Sequence, residues 1–307
     1  MHLASVETPL LSIAFGANNS GGVTTGLPVI AGQYTENLFP SAQPAGRFGQ
    51  YTLFETDGWR LGAASVAVTR GLEAATHELY LDLFAATRGH HLARIWNYVP
   101  DINQPDPTGL ENYRVFCRGR SLAFEHEHGA NFKKAMPAAS AVGSKTPYLT
   151  VIFAAASVST RHIENPKQVP AYDYPLEFGP RSPSFSRATL VPAPTHAVVF
   201  ISGTAAIQGH ATIAPHDTHR QLDCALENLR EISIACGLGS KLDSSGKSTR
   251  HFKVYLRHYG DQSAVAAVLE QRLFHLGDSV SYLQADLCRA SLCFEIEASI
   301  FSLKTHQ

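Results

Sequence analysis

Long hydrophobic runs, a strong charge of either sign and any paired-cysteine pattern are missing from this 307-residue sequence. The longest apolar stretches, such as residues 150–158, are too short to span a bilayer, so no membrane association is expected. Lysine and arginine (25) nearly balance aspartate and glutamate (26), for a formal net charge of −1. No global field therefore recruits nucleic acid, and any anion must be caught by locally placed arginines. The five cysteines (117, 224, 236, 288 and 293) are odd in number and scattered, with no Cys-x-x-Cys. That fits reduced thiols in a cytoplasmic protein, and neither a disulfide framework nor a zinc site. Met1-His-Leu-Ala-Ser5 lacks the basic-then-apolar layout of a secretory signal.

What is present reads as a folded chain. Hydrophobic residues make up 44 % and charged residues 17 %, and the length allows one large domain or two ordinary ones. Asn18-Asn-Ser-Gly-Gly22 reads as a loop without the spacing of a phosphate-binding motif. Strands are expected at 51–55, 62–69, 92–99 and 148–158, with helices at 73–87 and 109–126. Residues 165–194 are Pro-rich but also rich in Tyr and Phe, which suits a long ordered loop. The pattern then starts over, with strands at 197–202, 252–257 and 292–297 and helices at 221–235 and 263–274. Residues 240–249 read as a flexible Ser/Gly/Lys loop.

Set side by side, the halves share one order, and the chain reads as two copies of one α+β unit. Residues 91–101 match 250–261, and the apolar strand at 148–156 matches 292–300. In the last strand Leu292, Phe294 and Ile296 alternate with Cys293, Glu295 and Glu297, so one face is apolar and the other carries two carboxylates. Two readings stand there: a solvated outer face, or a carboxylate turned into a cleft for acid chemistry. At the register of Glu295 the first copy has only apolar residues, so any chemistry belongs to the second copy, near the interface where clefts form.

Several segments resemble the chorismatases, enzymes that split pyruvate from chorismate. They are Arg94-Ile-Trp-Asn-Tyr-Val-Pro-Asp-Ile-Asn103, Leu110-Glu-Asn-Tyr-Arg-Val-Phe-Cys-Arg-Gly-Arg120, Asn165-Pro-Lys-Gln-Val169 and Tyr172-Asp-Tyr-Pro175. Gly179-Pro-Arg-Ser-Pro-Ser-Phe185, Phe200-Ile-Ser-Gly-Thr-Ala205 and the run from Cys288 to Glu297 continue the likeness. The second half is also similar to RidA (YjgF)-like proteins. The resemblance implies an α+β fold of two RidA-like units, 1–160 and 161–307, with mixed β-sheets and helices packed on one side. It implies a monomer or homotrimer acting on chorismate in secondary metabolism, without metal or cofactor.

The chemistry sets the residue types. Breaking the enolpyruvyl ether needs a proton on the terminal methylene carbon, a weak base, so the acid must stay protonated near neutral pH. The resemblance gives that role to Glu295, with Glu297 as a substitute or a structural carboxylate. Two substrate carboxylates suit guanidinium forks, and Arg120, Arg181, Arg114 and Arg257 are the candidates. Tyr113 and Tyr172 are candidate hydrogen-bond partners or core aromatics. Gly203 and Cys288 are positions that, in the family, track product choice; glycine with cysteine resembles the 3-hydroxybenzoate branch, and alanine would resemble the dihydroxycyclohexadiene acid branch. The histidines of Glu125-His-Glu-His128 and His210, His216 and His219 are explained by loop and surface positions, so no metal is expected. The rival functions are a RidA-like imine deaminase with its site between chains of an obligate trimer, and a non-catalytic ligand-binding module. The long segment 165–194, absent from minimal RidA units, argues against the first.

Overall fold

The computed structural model describes residues 13–15, 23–192, 196–243 and 247–303. The expected loop at 18–22, residues 10–12 of a short strand expected at 10–15 and the middle of the 240–249 loop lie outside them. Four short strands come first: β1 (Ile13–Ala14), β2 (Val23–Thr24), β3 (Val29–Gly32) and β4 (Thr35–Glu36). The first unit follows as β5 (Gln43–Phe48), β6 (Tyr51–Thr56), β7 (Trp59–Ala67), α1 (Leu72–Ala86), β8 (His91–Pro100), α2 (Asn112–His128), β9 (Ala138–Ser144) and β10 (Tyr148–Ala156). The second holds β11 (Arg161–Ile163), β12 (Ala188–Val191), β13 (His196–Ala205), β14 (Ile207–Gln208), β15 (Ala211–Thr212), α3 (Thr218–Ala235), β16 (Ser248–Leu256), α4 (Gln262–Arg272), β17 (Ser279–Gln284) and β18 (Phe294–Leu303).

The internal repeat is explicit in the sheets. One runs β5-β6-β7-β10-β8-β9 and the other β11-β12-β13-β18-β16-β17-β3. In each, the last strand of the unit inserts between a hairpin strand and the strand that follows the first helix. In each, the strand after the second helix pairs parallel at the far side, β9 on β8 and β17 on β16. These are the mixed sheets of the expected α+β class. Ala156 closes the first sheet and Arg161 opens the second, while β3 from the N-terminal stretch adds itself beside β17.

Three apolar cores hold four layers together. Leu79, Leu83, Phe116, Phe124, Val151 and Phe153 pack α1 and α2 on one sheet, and Leu222, Leu229, Leu269, Phe294 and Ile296 pack α3 and α4 on the other. The helix-free faces meet through Trp96, Ile152, Ala154, Phe200, Tyr255 and Leu292. Full burial of each such side chain is worth ~1.5–3 kcal/mol. Gly119 in α2 allows close helix contact, since a Cβ there would lie 2.5 Å from the Glu73 carbonyl oxygen of α1.

Three expectations shift. The second helix starts at Asn112 rather than 109, because the Asp106 carboxylate accepts from the Thr108 and Leu110 amides and Gly109 sits at φ +86°. Strands β9 and β17 were not foreseen; Ala-Ala-Ser-Ala-Val-Gly-Ser is poor in strand-forming side chains and is held by its parallel partner. The long loop contains the strand β12, which pairs with β11 on one side and β13 on the other.

Candidate active site

A cavity of about 550 Å³ opens between the two units. Its floor is β18, where Glu295 stands in register with Ala205 of β13 and Tyr255 of β16. The pairing of β13 with β18 is irregular between Ile201 and Thr204, and this places Gly203 directly against the Glu295 carboxyl. A Cβ on Gly203 would lie 2.0 Å from Glu295 Oε1, so only glycine admits the carboxyl in this position. The walls come from Glu111, Tyr113 and Arg114 at the start of α2, from Tyr174, Phe178, Phe185 and Arg187 of the long loop, and from Cys288 and Arg289 before β18.

The two carboxylates of β18 share a face and have opposite surroundings. Glu297 lies 2.7 Å from Arg94 and 2.8 Å from Lys253, and accepts from Trp96 Nε1 at 2.9 Å. Lys253 in turn pairs with Glu36 of β4 at 2.6 Å. Burial alone would raise the Glu297 pKa, but Lys253 and Arg94 hold it down to about 2. Glu295 is 3 % exposed, and its carboxyl has no hydrogen bond or ion pair among the described residues. Burial first, and then the charge on Glu297, push its pKa up to about 8, against weaker pulls from Arg94 and Arg187. One carboxyl is thus protonated at neutral pH and its neighbour is ionised. The solvated-face reading of this strand does not hold. The Cys288 thiol is pushed up to about 12 by burial and by Glu295.

The cleft gathers Glu295, Gly203, Cys288, Tyr113 and Arg114, and four expected substrate contacts lie off its wall. Arg120 is buried among Tyr80, Phe116 and Phe124 and donates to the Ser184 carbonyl. It anchors the segment carrying Pro183 and Phe185 rather than reaching the cavity. Arg181 pairs with Glu125 at the surface, 2.7 Å away. Arg257 spends its donors on Asp286, Asn103 and the carbonyls of Arg289 and Leu292, fixing the segment that bears Cys288. Tyr172 packs on the first unit's core beside Glu164, whose carboxyl is pushed up to about 7 by burial.

Two cations were missed. Arg187 donates to the Tyr174 hydroxyl at 2.8 Å and the Val169 carbonyl at 3.3 Å, and its Nε has no partner. Arg289 donates to Thr212 Oγ1 at 3.0 Å, with its guanidinium 4.3 Å from the Phe178 ring centre. The signals for both were adjacency: Arg187 follows the Gly179–Phe185 motif and Arg289 follows Cys288. His216 lines the mouth, and no cluster of three or more metal-ligating side chains occurs among the described residues.

This architecture has solved and curated counterparts. Residues 38–155 match the family model described as chorismatase FkbO/Hyg5-like, N-terminal. A 3-hydroxybenzoate synthase of Streptomyces hygroscopicus is 36 % identical over 249 residues, spanning 78 % of this chain and 72 % of the relative. The chain belongs to the chorismatase family. A chorismatase of Streptomyces rapamycinicus is likewise 36 % identical, over 250 residues that span 80 % of this chain and 72 % of that one. A chorismatase crystal structure superposes with a TM-score of 0.80 at 29 % identity, covering 97 % of this chain and 95 % of the other. The chorismatase resemblance read from the sequence is therefore correct, and so is the two-unit α+β class. No helix among the described residues is long and apolar enough to cross a membrane.

Proposed function

We propose that this chorismatase protonates the enolpyruvyl methylene of chorismate from Glu295 and releases pyruvate and 3-hydroxybenzoate. The observation that carries the reading is Glu295 itself: buried, unpaired and facing a cavity bordered by Arg114, Arg187 and Arg289. The proton goes to the terminal carbon and the ether carbon becomes an oxocarbenium ion. Water attacks that carbon and returns a proton to Glu295, and the resulting hemiketal collapses to pyruvate with the ether electrons on the ring oxygen. The ring diol so released loses its neighbouring hydroxyl, together with the hydrogen of the former ether carbon, as water to give 3-hydroxybenzoate. Pyruvate and 3-hydroxybenzoate together hold the atoms of chorismate, so no water is consumed overall.

Arg187 and Arg289 supply the cationic donors for the substrate's two carboxylates, with Arg114 at the rim; aromatic rings at 174, 178 and 185 cover the cyclohexadiene. Gly203 with Cys288 favours the 3-hydroxybenzoate branch by resemblance, and the contact of Gly203 with the acid supplies a physical reason for that position to matter. The cleft is lined by residues of both units of this chain, from Tyr113 and Arg114 to Glu295. Five free thiols suit a cytoplasmic setting.

The test is pyruvate release from chorismate, followed with lactate dehydrogenase, and chromatography of the aromatic product. Glu295→Gln is expected to lower turnover ~10²–10⁴-fold, the usual span for a general acid, while the protein stays folded. Retained turnover removes Glu295 as the acid. Because Glu295 must be protonated, wild-type activity falls as pH rises through about 8.

A further inference from the structure

Glu36 of β4 and Lys253 of β16 belong to no expected site, yet they are joined in a buried network with Glu297 and Arg94. The network draws on three parts of the chain: the N-terminal strands, the first sheet and the second sheet. Its register is set by the strands, since Lys253 is the cross-strand partner of Glu297 just as Tyr255 is of Glu295. Two carboxylates and two cations make it neutral as it stands. None of its side chains bonds to the Glu295 carboxyl, which lies two residues along the same strand face from Glu297.

We propose that Glu297 is a positioning residue for the acid step: its fixed negative charge keeps the proton on Glu295 until substrate arrives, and Lys253, Arg94 and Glu36 keep that charge in place and balanced. This rests on Glu295 being the acid. The groups facing Glu295 are Glu297 on its own strand, Tyr255 on β16, Cys288 on the preceding segment, Arg94 from the first sheet and Arg187 across the cleft. Arg94 bonds Glu297 and Ser140 through Nη2, and Arg187 bonds Tyr174; Arg94 Nε and Nη1 and Arg187 Nε have no partner, and none of these donors meets the Glu295 carboxyl. Ionising Glu295 would therefore add an uncompensated buried charge beside an existing one, whereas the protonated form adds none. The arrangement also explains why the network is buried. A hydrated Glu297 would be screened and would act weakly on its neighbour.

Two measurements test this separately from the catalytic reading. The first is the ¹³C titration of the glutamate side-chain carboxyls in unliganded protein, with Glu295 assigned by its loss in Glu295→Gln and Glu297 by its loss in Glu297→Gln. In the wild type Glu297 should stay ionised to acid pH while Glu295 keeps its proton to about 8. In Glu297→Gln the Glu295 midpoint should fall by at least ~1 pH unit, a tenfold loss of proton affinity. The alkaline limb of kcat/KM should fall with it, and the rate on the acid side should be largely kept. Glu297→Gln/Lys253→Gln, which restores charge balance, should move the limb in the same direction. An unmoved midpoint in either folded variant overturns the proposal. So does a rate loss equal at every pH, or, should neither variant fold, a wild type in which both carboxyls titrate together near the ordinary glutamate range. Retained turnover in Glu295→Gln would instead remove the catalytic reading while leaving the titration result to stand.

Discussion

The central strands β10 and β18 occupy the same place in the two units and treat their inward faces in opposite ways. On β10 that face carries Ile152, Ala154 and Ala156, all buried in the core between the sheets. On β18 it carries Glu295, Glu297 and Ser299, equally buried. The outward faces are alike: Val151 and Phe153 pack under α1 and α2 as Phe294 and Ile296 pack under α3 and α4. One scaffold thus tolerates either a dry or a charged inner strand, provided the charge has partners. The first unit supplies part of them, through Arg94 and Trp96 of β8. The first copy thus helps to hold the charged inner face of the second.

Swapping the two faces gives the largest expected effect. Ile152→Glu places a carboxylate where no cation waits, and Glu297→Ile strips Lys253 and Arg94 of their shared anion. Each leaves uncompensated buried charge and should cost ~3–5 kcal/mol in denaturant unfolding. A loss under 1 kcal/mol for either would mean that the inner faces are not distinguished by charge pairing. The wild-type pH dependence of stability carries the same contrast. Glu297, with a depressed pKa, contributes stability above its unfolded pKa that is lost as pH falls toward about 2. Glu295, with a raised pKa, contributes stability below its unfolded value that is lost as pH rises toward about 8.

The next effect separates cations in the cleft from cations outside it. Arg187→Ala and Arg289→Ala should each lower kcat/KM roughly 10–100-fold, the span of a lost charge-assisted hydrogen bond, mostly through KM. Equal losses from Arg257→Ala would have another cause. That side chain fixes residues 286–292, so its loss should appear first as a lower melting temperature.

Glu295 as the candidate was legible in the sequence because a period of two and a motif converge on one position, and a strand face leaves only two directions for a side chain. The arginines were not, because membership of a motif does not say which way a residue points. Arg114 and Arg120 lie six positions apart on α2, which leaves them roughly 120° apart around the helix. Both cannot face one cleft, and Arg120 turns to the aromatic core. Arg187 and Arg289 sit in irregular segments with no periodicity to orient them. Strand β9 is defined by its parallel partner rather than by its own residues. The pairing of Glu36 with Lys253 spans 217 positions, which no local pattern reveals.

A smaller effect is expected at Gly203. Alanine there must push the Glu295 carboxyl aside or strain β13, at an overpacking cost of ~1–3 kcal/mol. Turnover should fall, and the product ratio should move away from 3-hydroxybenzoate toward the dihydroxycyclohexadiene acid. An unchanged ratio with unchanged turnover would show that the carboxyl has room to move without consequence.

The smallest effect concerns Arg181, which sits in the most distinctive stretch of family likeness. Its guanidinium is 35 % exposed and meets Glu125, itself 46 % exposed. A pair so open to water is worth ~0–1 kcal/mol, because solvent screens the attraction and two long side chains must be ordered to make it. Arg181→Ala should therefore change kcat/KM less than twofold and stability by under ~1 kcal/mol. Phe185, four residues on, lines the cleft and is held there by the Arg120 contact with Ser184. The motif then borders the cleft through Pro183 and its aromatic end, not through its arginine. A large loss of kcat/KM in folded Arg181→Ala would reverse that assignment and require the 179–185 loop to close over the bound substrate.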